Sequence, residues 1–242
     1  MRVKRTLFNI SAGLGSQIII TALSFISRTV FIHTLGIEYL GVNALFTSML
    51  AMLSLAEAGI GSSIVYNLYK PVADRDQQKI LTLMKLYRNA YWIIALIVLL
   101  LGLSIMPFLD FFIKDTSVEN LIVIYVLFLV NTAAPYLFIY KQSFLNVNQQ
   151  GYIVTSIFTV SSVVSACLKI AILLYTENYI LFLVVESMIT ITTSIILAKA
   201  VDRMYPFLKE KATSKLDPET KANLMRNIKA IVLQNIGVYF IF

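Results

Sequence analysis

Four stretches of this chain, 6–27, 89–109, 120–140 and 142–168, carry no charged residue. Two more, 41–69 and 178–198, are each interrupted by one acid, Glu57 and Glu186. Roughly 20 apolar residues are enough to cross a bilayer as a helix. Backbone N–H and C=O groups find no water in hydrocarbon, so such runs there have to be helical. Composition agrees: 58% of residues are hydrophobic and 14% charged, where soluble chains average about 25% charged. The expected fold is all-α, a polytopic six-helix transmembrane bundle. Its helices are expected near 7–31, 42–66, 89–112, 120–141, 152–175 and 179–202.

A net charge of +7 raises the question of nucleic acid. The distribution of that charge answers it. Seventeen of the 20 basic residues, all but Arg28, Lys114 and Lys169, fall at every second junction between the apolar runs. Lys and Arg collect in cytoplasmic loops. The N-terminus and the 203–229 segment are therefore expected in the cytoplasm, and the basic surplus chiefly sets topology, with some attraction for anionic lipid heads. The first apolar stretch exceeds a signal-peptide core and five more follow, so it reads as an uncleaved first helix. Cys167 is the only cysteine, which excludes an internal disulfide.

The outward loops are short, roughly 33–41, 114–119 and 176–178, which implies antiparallel hairpins. The inward ones are longer and polar. The longest carries Pro206 and Pro218, with Asp217 placed to cap a helix beginning at Pro218. A further apolar segment from Ala230 to Phe242 rises only about 20 Å as a helix. The expected division is a six-helix lobe over 1–204, a cytoplasmic linker over 205–228, and the start of a seventh helix over 229–242.

Among the ionisable residues inside expected spans are Arg28, Glu57, Lys169 and Glu186. Such residues face a bundle interior or a wet cavity. Lys169 and Glu186 sit at equal depth in one hairpin, about 9 Å below its tip at 1.5 Å per residue. They suit a structural ion pair or a cavity lining equally. Arg28 offers a planar fork suited to phosphate or snorkels to the outer interface. Glu57 is either a proton-carrying acid or a satisfied structural one. Ser156, Thr159, Ser162, Ser165 and Lys169 share one face of the fifth helix. Asn9, Gly13, Ser16 or Gln17, Thr21, Ser24 and Arg28 form a stripe on the first, and Asn43, Thr47, Ser54, Glu57 and Gly61 on the second. Three such stripes favour a shared cavity over simple close packing.

The sequence holds one histidine, His33, and no metal-spaced cluster, phosphate loop or hydrolase motif. No catalytic residue, cofactor or metal is expected.

The stretch from Arg28 to Phe46, RTVFIHTLGIEYLGVNALF, resembles the first hairpin of bacterial polysaccharide (O-antigen or teichoic-acid type) flippases. So does its continuation from Leu53 to Pro71, LSLAEAGIGSSIVYNLYKP, and the segment from Tyr140 to Tyr152, YKQSFLNVNQQGY. Those flippases belong to the multidrug/oligosaccharidyl-lipid/polysaccharide exporter superfamily. The resemblance implies a MATE-like transporter of two helical lobes around a central cavity, of which this chain covers the N-terminal one. It implies alternating-access movement of an undecaprenyl-pyrophosphate-linked oligosaccharide across the bacterial cytoplasmic (inner) membrane, for surface polysaccharide or lipopolysaccharide O-antigen synthesis. Its implied partners are that glycan lipid, membrane lipids and a C-terminal lobe. Cavity cations would meet pyrophosphate, a role carried to Arg28 and less firmly to Lys169. The competing expectations are a cation-coupled multidrug exporter using Glu57, and a non-transporting scaffold. A membrane glycosyltransferase ranks lower, because the outer loops are too short for its catalytic groups.

Overall fold

A computed structural model of the chain describes residues 2–53, 60–113 and 116–210, together with Ala212 and Arg226. Among these residues the structure is all-helical, with no strand. In chain order the helices are α1 (Arg2–Leu35), α2 (Ile37–Leu53), α3 (Ile60–Ala73), α4 (Gln77–Ile105), α5 (Leu109–Phe112), α6 (Leu121–Ala133), α7 (Ile139–Val147), α8 (Gly151–Thr176) and α9 (Tyr179–Met204). Short 3₁₀ turns occupy Met106–Phe108, Ala134–Leu137 and Pro206–Lys209. Among the described residues, four helices are long and apolar enough to cross a membrane: Phe8–Leu35, Gln77–Phe112, Gly151–Thr176 and Tyr179–Met204. A fifth span exists if α6 and α7 are counted as one bent unit. The second expected span, 42–66, falls on α2 and α3 and on residues 54–59, which lie outside the described set. Asp217, Pro218 and the start of the seventh helix also lie outside it.

Among the boundaries that differ from expectation, three have a clear local reason. The loop expected over 33–41 shrinks to Gly36, whose φ of +89° only glycine adopts without strain. Its N–H bonds to the Ile32 carbonyl at 3.0 Å, closing α1. α4 starts at Gln77, twelve residues before the expected 89. Asp76 caps it by accepting from the Lys79 N–H at 3.0 Å. Lys79, Lys85 and Arg88 alternate there with buried Ile80, Leu83, Met84 and Tyr87, an amphipathic turn extending the apolar span. The fourth expected helix, 120–141, breaks at Pro135. Proline lacks an N–H and its ring crowds the preceding turn. The chain passes through a 3₁₀ turn and bends by 46° between α6 and α7.

The core lies between α2, α4, α6 and α9. Phe46 of α2 meets Tyr125 and Phe128 of α6 edge-on, with ring centroids 5.2 and 5.8 Å apart. Tyr179 of α9 gathers Phe31 and Tyr39 in the same manner at 5.5 and 5.3 Å. α1 and α8 pack along each other as a flanking pair. In an apolar 18-residue stretch of each span, 6% is buried in Phe8–Leu35 and 11% in Gly151–Thr176, against 28% in Gln77–Phe112 and 33% in Tyr179–Met204. The outer surface is lined by exposed Ile18, Phe25, Leu100, Phe111 and Leu174. Such a surface is stable beside lipid and costly beside water.

Candidate functional site

The flanking pair is stitched together by its polar stripe. Asn9 of α1 accepts from the Tyr152 N–H at 2.6 Å. One turn-set higher, Thr159 of α8 donates to Ser16 of α1 at 2.7 Å. In this half the small polar residues serve close approach of two helices. Above Ser16 the helices separate, α9 joins them, and a cavity of about 270 Å³ opens between the three.

Hydroxyls dominate its polar wall: Ser24 and Ser27 from α1, Ser161, Ser162 and Ser165 from α8, Thr190 from α9. None of these six makes a side-chain hydrogen bond among the described residues. Thr193, also on the wall, returns its proton to the Ile189 carbonyl at 2.7 Å, the usual solution for a helical threonine. These hydroxyls are exposed or half-buried on an open wall and are available to bond whatever occupies it. The cavity therefore favours water or a hydroxyl-rich, polar guest.

Lys169 and Glu186 close one end. The ammonium lies 3.2 Å from Glu186 Oε1, with side chains 17% and 32% exposed. The same ammonium sits 4.8 Å from the Phe182 ring centre, where the ring face adds attraction. The pair expected from hairpin geometry is thus formed, and both partners line the cavity. The ammonium has a carboxylate beside it, so it meets an anionic guest only by sharing or exchanging that partner.

Arg28 is placed differently. It is exposed on α1, one residue past Ser27, and is not part of the cavity wall. It has no ion-pair partner among the described residues. Glu57 lies outside the described residues. The stripe expected on the second helix does not join the cavity where it is described. Asn43 instead donates to the Tyr179 hydroxyl at 3.2 Å, and Thr47 bonds back to the Asn43 carbonyl. The third wall is α9, whose Thr190 and Thr193 sit four residues after Glu186 and Ile189 respectively. That spacing was readable in the sequence, but it was masked by the surrounding isoleucines.

No protein-family model, curated protein or solved structure matches this chain.

A second concavity of about 500 Å³ is lined by α3 and α7. Tyr66 and Tyr69 stand on one side, Gln142, Ser143 and Asn146 on the other, and Tyr91 at the floor. Two side-chain amides and three phenols supply donors and acceptors beside flat rings. Sequence reasoning missed Gln142 and Asn146 as lining residues, although they lie one helical turn apart on α7. It also missed a second ion pair. Lys141 Nζ donates to both carboxylate oxygens of Asp202 at 2.7 Å, tying α7 to α9.

Proposed function

We propose that this chain is a MATE-like six-helix lobe of a polysaccharide-lipid flippase. It moves an undecaprenyl-pyrophosphate-linked oligosaccharide across the bacterial cytoplasmic membrane by alternating access. In this reading α2 and α3 form one span and α6 and α7 another, with the N-terminus cytoplasmic. The observation that carries it is the hydroxyl-lined cavity with its Lys169–Glu186 pair inside an otherwise apolar bundle. A glycan crossing hydrocarbon needs a path that replaces its water, while its lipid tail stays in the bilayer. The phenol- and amide-lined cleft between α3 and α7 suits the same guest. Arg28, exposed beside the cavity and free of an ion pair among the described residues, suits pyrophosphate, which a guanidinium grips through two oxygens at once. Rocking of one bundle against another is the usual device for alternating access. The likeness of 28–71 and 140–152 to polysaccharide flippases supports the substrate class.

The test is complementation. A strain deleted for this gene is expected to lose surface polysaccharide and accumulate glycan lipid facing the cytoplasm. The wild-type gene restores export. Arg28→Ala inserts normally and does not restore it. Unchanged surface polysaccharide in the deletion strain sinks the flippase reading, and full export by a well-inserted Arg28→Ala protein removes the role given to Arg28. Proton-dependent drug efflux without glycan transfer points instead to the exporter reading.

A further inference from the structure

At the end of the bundle where α9 stops, three cations converge on one concavity. Lys199 and Arg203 project from the last turns of α9, one helical turn apart and both exposed. Pro206 then starts the 3₁₀ turn Pro206–Lys209, which brings Lys209 back to the same space. The concavity is open on one side and has a volume of about 720 Å³. One acid, Asp202, also lines it, but Lys141 engages both oxygens of that carboxylate at 2.7 Å. Asp202 is neutralised from the α7 side and leaves the three cations uncompensated. None of them has an ion pair among the described residues.

Cations near a helix C-terminus also interact with its dipole, and that alone would explain Arg203. It does not explain why Lys209, on a separate element, closes the same space. Nor does it explain what lies above. Met188, Thr192 and Ile196 run up α9 at four-residue steps, on the face that ends in Lys199 and Arg203. Met188 is 63% exposed and Ile196 50%. A mainly apolar track thus leads directly into a cationic pocket at one level of the bundle. A two-part surface of this kind matches a two-part ligand, an acyl chain attached to a phosphate.

We propose that the α9 track and its pocket of Lys199, Arg203 and Lys209 form a binding site for an anionic phospholipid, with the headgroup phosphodiester among the cations and an acyl chain along Met188 and Ile196. Charge attraction for an anionic surface contributes near each cation, and the track adds area that a free anion cannot use. The site stands apart from the transport reading and survives its failure.

The intact chain, purified in a neutral detergent, is titrated with phosphatidylglycerol or phosphatidylcholine while the unfolding midpoint is followed. Phosphatidylglycerol is expected to raise the midpoint by several degrees and phosphatidylcholine much less. Lys199→Gln, Arg203→Gln and Lys209→Gln combined weaken apparent phosphatidylglycerol affinity by roughly a hundredfold, about fivefold per cation. The matched triple Arg75→Gln, Lys79→Gln and Lys85→Gln keeps wild-type affinity. Arg203→Gln alone gives a smaller loss and serves if the triple does not fold. Ile196→Gln weakens the lipid but not inorganic pyrophosphate, the soluble probe. Equal losses from both triples would mean diffuse surface attraction and overturn the site. Equal protection by pyrophosphate and by phosphatidylglycerol would overturn the acyl track.

Discussion

Lys169 Nζ and Glu186 Oε1 stand 3.2 Å apart across the α8–α9 hairpin, at the rim of a cavity walled by serine and threonine. Each residue therefore has two partners to satisfy, the opposite charge and whatever fills the cavity. Removing one charge leaves the other in a poorly solvated place. Lys169→Ala or Glu186→Ala should each destabilise the protein by roughly 1–3 kcal/mol, less than a fully buried pair because both side chains are partly wet. Lys169→Met with Glu186→Met, which removes both charges and keeps volume, should cost less than either single change. Thermal unfolding of the four proteins in one detergent checks this. Additive losses in the double variant would show that the two charges do not sense each other.

Gly102 lies where α4 and α6 pack tightly. A methyl group there would lie 2.2 Å from Leu129 Cδ1. Leu129 is 1% exposed and has little room to withdraw. Tyr125 fixes the same spot by donating to the Gly102 carbonyl at 2.8 Å. Gly102→Ala is expected to cost about 1–3 kcal/mol, the range for overpacking a full core. The readout is the unfolding midpoint. Leu129→Ala placed beside Gly102→Ala should recover part of the loss from that clash, and no recovery would argue against the contact.

Glu38 clamps the segment after α5 onto α2, just before the expected membrane portion of that helix. Its carboxylate accepts from the Thr116 hydroxyl at 2.7 Å, the Ser117 N–H at 2.6 Å and the Ser117 hydroxyl. These bonds, led by the Ser117 hydroxyl, hold its carboxyl below the ordinary carboxylate range. A depressed folded value means the clamp stabilises above the ordinary carboxylate range and loses that contribution as pH falls through the folded value. Stability should decline on acidification, and Glu38→Gln should flatten that part of the profile. Thermal midpoints measured between neutral and acid pH decide it; an unchanged slope in the variant removes the clamp from the explanation.

Arg75 and Glu177 sit at opposite ends of the bundle, one between α3 and α4 and one between α8 and α9. In a Cys167→Ser background, Arg75→Cys should react with an impermeant maleimide only after cells are opened. Glu177→Cys should react in intact cells. The reverse pattern would invert the topology and every leaflet assignment that follows from it.

Much of the fold was legible because hydrocarbon tolerates so few solutions. Long charge-free runs have to be helices, and their order and paired depths follow from residue counts. Hence α1, α8 and α9 fall close to expectation, and Lys169 meets Glu186 as the hairpin requires. The bend at Pro135 and the turn at Gly36 were written in single residues whose effect depends on the flanking helices. Charge-based boundaries missed the first turns of α4, because lysines tolerate the polar side of a helix whose other side is buried.

Sequence alone determined that this chain is helical, apolar outside and asymmetric in charge, because those properties depend on the solvent each segment can bear. Tertiary structure decided which polar stripes share a space. Asn43 and Ser24 look alike in sequence, yet one bonds Tyr179 in the packed interior and the other faces the cavity. That difference comes from the rotation and separation of neighbouring helices, which depend on the sum of contacts over the whole bundle. A local pattern of spacings carries no record of that sum.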